Sequence, residues 1–148
     1  MSKLFSEPSA IRLEETLQEL ILAFNLKRAG VLEQYGVNET DVAIIRFLSD
    51  EDQKKMKEVG EHFGIKLSTL TSTVDKLEKN KLVKRRSSKE DRRVIFIQPT
   101  ARGQSLLKDL SEPGRSLSEL LEKELDAAEF GALIRHAERM LRYVQAEG

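Results

Sequence analysis

The sequence predicts a mainly α-helical protein carrying one small β-hairpin. Three observations lead there. Apolar residues recur at i, i+3, i+4 and i+7 over most of the chain, the spacing that lines one face of a helix. One stretch, residues 82–97, instead sets β-branched and apolar residues on either side of a polar, charged turn. Charged residues reach 34% while aromatics are 5%, with no Trp, a balance suited to helices with long solvated faces. An apolar share of 39% in 148 residues is enough for one substantial core, not for two independent ones.

Residues 11–32 place Leu13, Leu17, Leu20, Ile21 and Phe24 on one face of a long first helix, with Ser9 as its expected cap and Gly36 as its stop. Asn38, followed three residues later by Asp41, predicts a capping box for the second helix. There Val42, Ile44, Ile45, Phe47 and Leu48 make an apolar face wide enough to need more than one neighbour. Asp50-Glu51-Asp52 reads as a solvated turn, because no further ligand or calcium-loop glycine follows at the required spacing.

Met56, Val59 and Phe63, with the small Gly60 between them, predict a short helix that Gly64 breaks. Ser68 is the expected cap of the next helix, which runs through Asn80 with Leu70, Val74 and Leu77 facing inward. Two short helices joined by a glycine-containing turn give the helix-turn-helix outline. At about 100° per residue, the outer face of the second helix carries Ser68, Ser72, Asp75, Lys76 and Lys79, with Thr69 and Thr71 on its flanks. Short hydroxyls let a helix backbone approach base edges, and lysines further along reach phosphates. An ordinary solvated face would be richer in Glu and Lys.

The run Leu82 to Arg86, the polar turn Ser87 to Arg93 and the run Val94 to Ile97 then read as the hairpin, with Arg85, Arg86, Lys89, Arg92 and Arg93 crowding its tip. Such charges either guard exposed strand edges or suit the narrow minor groove of DNA. A helix-turn-helix followed by a basic hairpin is a winged helix. The net charge is zero, yet residues 54–93 hold 13 Lys or Arg against 6 Asp or Glu, and the rest of the chain 12 against 19. A basic middle on an acidic scaffold fits a polyanion-binding unit or a lysine-rich solvated face.

Lys81-Leu82-Val83-Lys84-Arg85, Asp91-Arg92-Arg93 and Thr100-Ala101-Arg102-Gly103 together resemble the wing signature of MarR-type transcriptional regulators. The layout is similar over nearly the whole chain; Pro99 departs from it, standing where the family more often has Leu. The resemblance implies that Arg93 enters the minor groove and that Asp91 holds the hairpin. It implies a recognition helix over 68–80 with Ser68, Thr69, Thr71, Ser72 and Lys76 facing DNA. Lys79, Arg85, Arg86 and Arg92 complete the candidate surface by charge and position. It also implies homodimers joined through their first and last helices, and a small phenolic or anionic effector between the dimerisation and DNA-binding parts. Residues 37–99 are then the winged helix-turn-helix, and 1–36 with 100–148 a helical dimerisation region.

The last third agrees with that layout. Leu106, Leu107, Leu110, Leu117, Leu120, Leu121 and Leu125 punctuate one charged helix, and Pro113-Gly114 is expected to kink or break it. Asp126 and Glu129 are expected to cap a final helix bearing Phe130, Leu133, Ile134, Ala137, Leu141 and Val144. So much leucine needs a partner to bury it. With the first and last helices as the seam that the resemblance implies, Leu13, Leu17, Leu133 and Leu141 are the candidate dimerisation residues.

Several function classes fall away. The chain has no cysteine, so disulfides and thiolate chemistry are excluded. No apolar run approaches the roughly 18 residues of a membrane span, and the start lacks a basic-then-apolar leader, so a soluble cytoplasmic protein is expected. His62 and His136 stand far apart with no metal-ligand spacing around either. No nucleophile elbow or phosphate-cradling glycine loop occurs, and neither enzyme activity nor a cofactor is expected. What remains is a dimeric, sequence-specific DNA-binding regulator, expected to be a ligand-responsive repressor on a pseudo-palindromic operator. The other reading is a winged-helix module that binds an acidic protein. The hydroxyl-lined helix favours the first, since protein interfaces prefer aromatic anchors.

Overall fold

The computed structural model describes residues 7–51 and 53–146. Its elements are α1 (Glu7–Tyr35), α2 (Glu39–Ser49), β1 (Lys54–Lys55), α3 (Met56–Phe63), α4 (Leu67–Lys79), β2 (Val83–Ser87), β3 (Ile95–Pro99), α5 (Ala101–Glu124) and α6 (Ala127–Ala146). The mainly helical class with a small β-wing is what the chain adopts. It divides at Leu110 into two compact units.

The first unit holds the core. Leu70, Val74 and Leu77 of α4 are fully buried, together with Ile44, Ile45 and Leu48 of α2 and Val59 of α3. Leu82, Val83 and Ile97 close it from the hairpin side. Tyr35 at the end of α1 and Leu106 in α5 belong to the same cluster, although both lie outside residues 37–99. Each such Leu or Ile stabilises the fold by roughly 1.5–3 kcal/mol relative to exposure.

Local chemistry sets most helix ends where the sequence puts them. The Asn38 N–H donates to Asp41 Oδ2 at 2.8 Å and the Asp41 N–H to Asn38 Oδ1 at 2.9 Å, a reciprocal capping box. Gly64 ends α3 in the left-handed region at φ 62°. Thr100 caps α5, its hydroxyl oxygen accepting from the Gly103 N–H at 3.1 Å. Two expected caps are corrected. Ser9 lies inside α1, and Ser68 is the second residue of α4, whose cap position is Lys66 with no side-chain cap bond. The Leu70 N–H closes that first turn on the Lys66 carbonyl at 2.9 Å, so the backbone needs no hydroxyl at its start.

The sheet has three strands in the order β1-β3-β2, both pairs antiparallel. Only the hairpin was expected. β1 is two lysines, a strand created by pairing with Phe96 and Ile97 and not by any strand-forming preference of its own. Lys54 is nonetheless buried, its ammonium 4.5 Å from the centre of the Phe47 ring and 3.2 Å from Glu51. Within the acidic turn, Asp52 lies outside the described residues. The second hairpin strand starts one residue later than the apolar run and continues to Pro99, which pairs with Val83 at the strand end, where a missing N–H is tolerated.

The second unit begins at Ser111 and comprises the rest of α5 and all of α6. The expected break at Pro113 does not occur: α5 is helical through it, forgoing one backbone donor. Asp126 caps α6 as expected, its Oδ1 accepting from the N–H groups of Ala128 and Glu129 at 2.8 Å each, while Glu129 returns the bond to Asp126 N–H at 3.0 Å. No residue of α6 is buried.

Two glycines in α5 should respond oppositely to alanine. A Cβ on Gly103 would lie 2.3 Å from the Leu82 carbonyl oxygen, whereas one on Gly114 meets nothing within 4 Å. Gly103→Ala should cost about 1–3 kcal/mol through forced displacement of that backbone. Gly114→Ala should stabilise by about 0.5–1 kcal/mol through lower helix entropy cost. Urea midpoints of the two variants should fall on opposite sides of the parent.

Candidate nucleic-acid interface

Helix α4 presents three faces. Leu70, Val74 and Leu77 point into the core. Ser68, Ser72 and Lys79 lie on the opposite side, all exposed. Between these, one flank carries Leu67, Thr71, Asp75 and Glu78, and the other Thr69, Thr73 and Lys76. The hydroxyls of Thr71, Ser72 and Thr73 each donate back to the carbonyl four residues earlier, at 2.8, 3.2 and 3.1 Å.

Each flank is tied to a neighbouring element. Arg85 of β2 donates from Nη1 to Asp75 Oδ1 at 2.6 Å and to Glu78 Oε2 at 2.9 Å, and from Nη2 to the Thr71 carbonyl at 3.1 Å. Its backbone N–H adds a bond to Glu78 Oε1 at 3.2 Å. These charge-assisted bonds fasten the wing to the helix. Arg85 was expected at the DNA surface; its side chain is only 25% exposed and its donors are spent inside the protein. On the other flank the Lys76 ammonium is ion-paired with the buried Asp41, which also holds the α2 cap. The expected DNA-facing role of Lys76 thus competes with a partner that charge counting could not foresee. Asp41 was legible as a cap residue, and Asp75 and Glu78 as solvated acids; their contact with basic residues far along the chain was not.

The tip of the wing is shaped by short polar side chains. Ser88 Oγ accepts from the N–H groups of Glu90 and Asp91 at 3.2 and 3.3 Å, and Asp91 Oδ1 accepts from the Arg93 N–H at 2.9 Å. Asp91 therefore orders the turn through the backbone of Arg93, leaving the guanidinium out of the bond. Arg86, Arg92 and Arg93 are exposed and enter no ion pair among the described residues.

The base of the unit is joined at the end of α4. Asn80 Nδ2 donates to the carbonyls of Tyr35 and Gly36 at 3.3 and 3.1 Å, and the Thr100 hydroxyl donates to the Lys81 carbonyl at 2.6 Å. The Tyr35 hydroxyl donates to Asp109 Oδ2 at 2.6 Å, a bond that, with burial, raises its pKa above the usual tyrosine value. Beside α2, Arg28 grips Glu39 through two nitrogens, which holds that carboxyl below the usual range. A groove of about 480 Å³ opens there, lined by Arg28, Glu39, Arg46, Phe47, Asp50, His62 and Phe63 among others. His62 is exposed and stacks on Phe47 with ring centres 3.9 Å apart. His136 is exposed on α6. Among the described residues no cluster of three or more His, Cys, Asp or Glu could hold a metal.

Leu13 and Leu141 are each 58% exposed, Leu133 is at the edge of exposure and Leu17 is half-buried. The residue that sequence reasoning passed over is Leu67, which opens α4 and is 62% exposed. Its mark in the sequence was an apolar residue off the Leu70, Val74, Leu77 stripe.

Comparison with known proteins accords with this geometry. The MarR family pattern matches residues 37–95. MhqR, an HTH-type transcriptional regulator of Bacillus subtilis (strain 168), is 31% identical over 100 residues, which cover 64% of this chain and 69% of that protein. MdtR, an HTH-type transcriptional repressor of the same organism, is 28% identical over 128 residues, covering 82% of this chain and 83% of its own length. Among solved structures, the S. aureus MepR–DNA complex is similar in fold, with a TM-score of 0.73 at 17% identity over 88% of this chain and 98% of that one.

The two arginines should separate in a stability measurement made without any ligand. Arg85→Ala should cost about 1–2 kcal/mol, since it removes charge-assisted bonds and leaves two carboxylates side by side. Arg93→Ala, at an exposed position without a partner, should stay within about 0.5 kcal/mol of the parent. Equal losses in urea unfolding would mean that Arg85 does not clamp the wing.

Proposed function

The chain belongs to the MarR family of transcriptional regulators, and from that premise we propose that it binds a pseudo-palindromic operator in duplex DNA as a homodimer and acts as a ligand-responsive repressor. It is not an enzyme: its relatives are named as regulators. One observation carries the DNA reading. The clamp through Arg85 makes the wing and α4 a single unit, on which the outer hydroxyls of the helix and the unpaired Arg86, Arg92 and Arg93 remain available. Hydroxyls suit base edges in the major groove and the arginines suit the concentrated negative potential of a minor groove. The fold that MepR presents to DNA supports the same docking. No aromatic anchor lies on the outer face of α4 or at the wing tip, so nothing favours an acidic protein as partner instead.

The homodimer is supported by the apolar side chains that α1 and α6 leave exposed, Leu13, Ile21, Leu133 and Leu141 among them. A two-fold assembly sets two half-sites about one helical turn apart. The effector reading is supported by the groove beside α2, where Arg46 and His62 offer hydrogen-bonding groups beside the aromatic rings of Phe47 and Phe63. That combination suits a small anionic or phenolic molecule. No described helix is long and apolar enough to cross a membrane, and the reading places the protein in the cytoplasm with the chromosome.

The test is binding to random-sequence duplexes across salt concentrations, followed by selection of the bound sequences. Affinity should fall steeply with salt, and Arg93→Ala should lower the slope of log K against log salt by about one. A salt-independent or absent interaction would reject DNA as the partner. Leu141→Glu should shift the protein to monomer in sedimentation and weaken operator binding at least tenfold, because one half-site alone offers half the contacts. A Leu141→Glu protein that still sediments as a dimer would place the interface elsewhere.

A further inference from the structure

Recognition helix α4 is unusual in what it lacks. From Leu67 to Lys79 it contains no arginine, asparagine or glutamine, the side chains that read guanine or adenine through paired hydrogen bonds. Its two lysines are displaced from that task. Lys76 is paired with Asp41, and Lys79 is the last residue of the helix, where the chain leaves a groove entered at the N-terminal end. Lys66, at the cap, is a point charge that serves a phosphate as readily as a base.

What the leading turns offer is apolar surface and hydroxyls, and among these Thr71 and Ser72 act as acceptors only. Leu67 is the first residue of α4 and is 62% exposed. It borders a groove of about 380 Å³ whose other walls are Lys55, Met56, Lys57, Arg93, Val94 and Ile95, so the surface runs from the helix start to the tip end of the wing. Beside it, the hydroxyl protons of Thr71 and Ser72 are committed to the carbonyls of Leu67 and Ser68. Their oxygens keep a free lone pair that can accept from the exocyclic amino group of adenine or cytosine, but they have no proton left for guanine O6 or N7. In the major groove, the one apolar group on any base edge is the C5-methyl of thymine. An exposed leucine at the leading end of a recognition helix has no better partner there.

We propose that Leu67 is a specificity-determining residue that packs on a thymine methyl group, so that each half-site carries a thymine under the start of α4. This rests on the DNA-binding reading above and goes further by naming the base class and the reader.

The experiment replaces thymine by deoxyuridine, which deletes the methyl group and leaves every hydrogen-bonding atom in place. The full-length protein is first used to select duplexes from a random pool, and each thymine of the best duplex is then substituted singly in both half-sites. One thymine per half-site should lose about fourfold in affinity or more on substitution, the worth of one buried carbon. Leu67→Ala should bind the thymine duplex more weakly by a similar factor and be indifferent to uracil at that position. Leu67 is exposed, so the variant should fold; the wild-type thymine-to-uracil series by itself overturns the inference if no thymine responds. No uracil effect at any thymine, or a full uracil effect retained in Leu67→Ala, would each overturn this inference while leaving DNA binding intact. Failure to bind any duplex would overturn the DNA reading and this inference together.

Discussion

The joint at the C-terminal end of α4 is the constraint on which the first unit depends. Three successive carbonyls, those of Asn80, Lys81 and Leu82, are taken up by the entry to α5: Arg102 Nε at 3.2 Å, the Thr100 hydroxyl at 2.6 Å and the Thr100 N–H at 3.0 Å. From the same short segment the Asn80 amide reaches back to the end of α1. To present these groups in three directions the chain must turn sharply, and Lys81 does so at φ 60°, a conformation that costs a non-glycine residue of the order of 1 kcal/mol. The cost is borne because one strained residue allows α1, α4, the wing and α5 to meet. It also explains Gly103: the carbonyl of Leu82 comes so close to α5 that no side chain fits there.

With its far end fixed, α4 is held along both flanks by ion pairs of the same design, an acid and a base from distant parts of the chain. Asp41 of α2 takes Lys76, and Arg85 of β2 takes Asp75 and Glu78. The charges involved are the ones that would otherwise complicate approach to a polyanion. Two carboxylates on a helix meant for a phosphate-lined groove would repel it, and Arg85, bonded to both, offsets one of their two charges. Of the positive excess in residues 54–93, only Lys54 and Lys76 are matched, among the described residues, by acids outside that stretch, Glu51 and Asp41, so most of the excess remains outward, part of it at the wing.

This separates what could be read from the sequence and what could not. Helix positions, the capping boxes at Asn38 and Asp126, the stop at Gly64 and the hairpin follow from local rules, in which the interacting residues are a few positions apart. The errors share a different cause. Ser68 looked like a cap because serine favours that position, but the helix started earlier on a bare backbone turn. β1 is a strand only because β3 lies beside it. Lys76 was placed on the DNA face by helix position and resemblance, and Arg85 by charge and position; their partners within the protein lie thirty-five and ten residues away. Pairing across such distances is decided by packing, which periodicity does not encode. The exposed Leu67 was passed over for the same reason: a single apolar residue off the main stripe looks like noise until the stripe is seen buried and the residue is not.

The sorting of α4 into tied and untied positions has an evolutionary reading. Leu70, Val74 and Leu77 fill the core, and Asp75, Lys76 and Glu78 are engaged by neighbouring elements. Leu67, Ser68 and Ser72 carry no such duty: their side chains touch no other element through a hydrogen bond or ion pair among the described residues. Substitutions at these three sites are nearly free of stability cost, since exposed positions away from caps and networks rarely matter by more than about 0.5 kcal/mol. A duplicated copy of this gene could therefore diverge in the sequence it reads by changing three side chains, without first acquiring compensating mutations elsewhere.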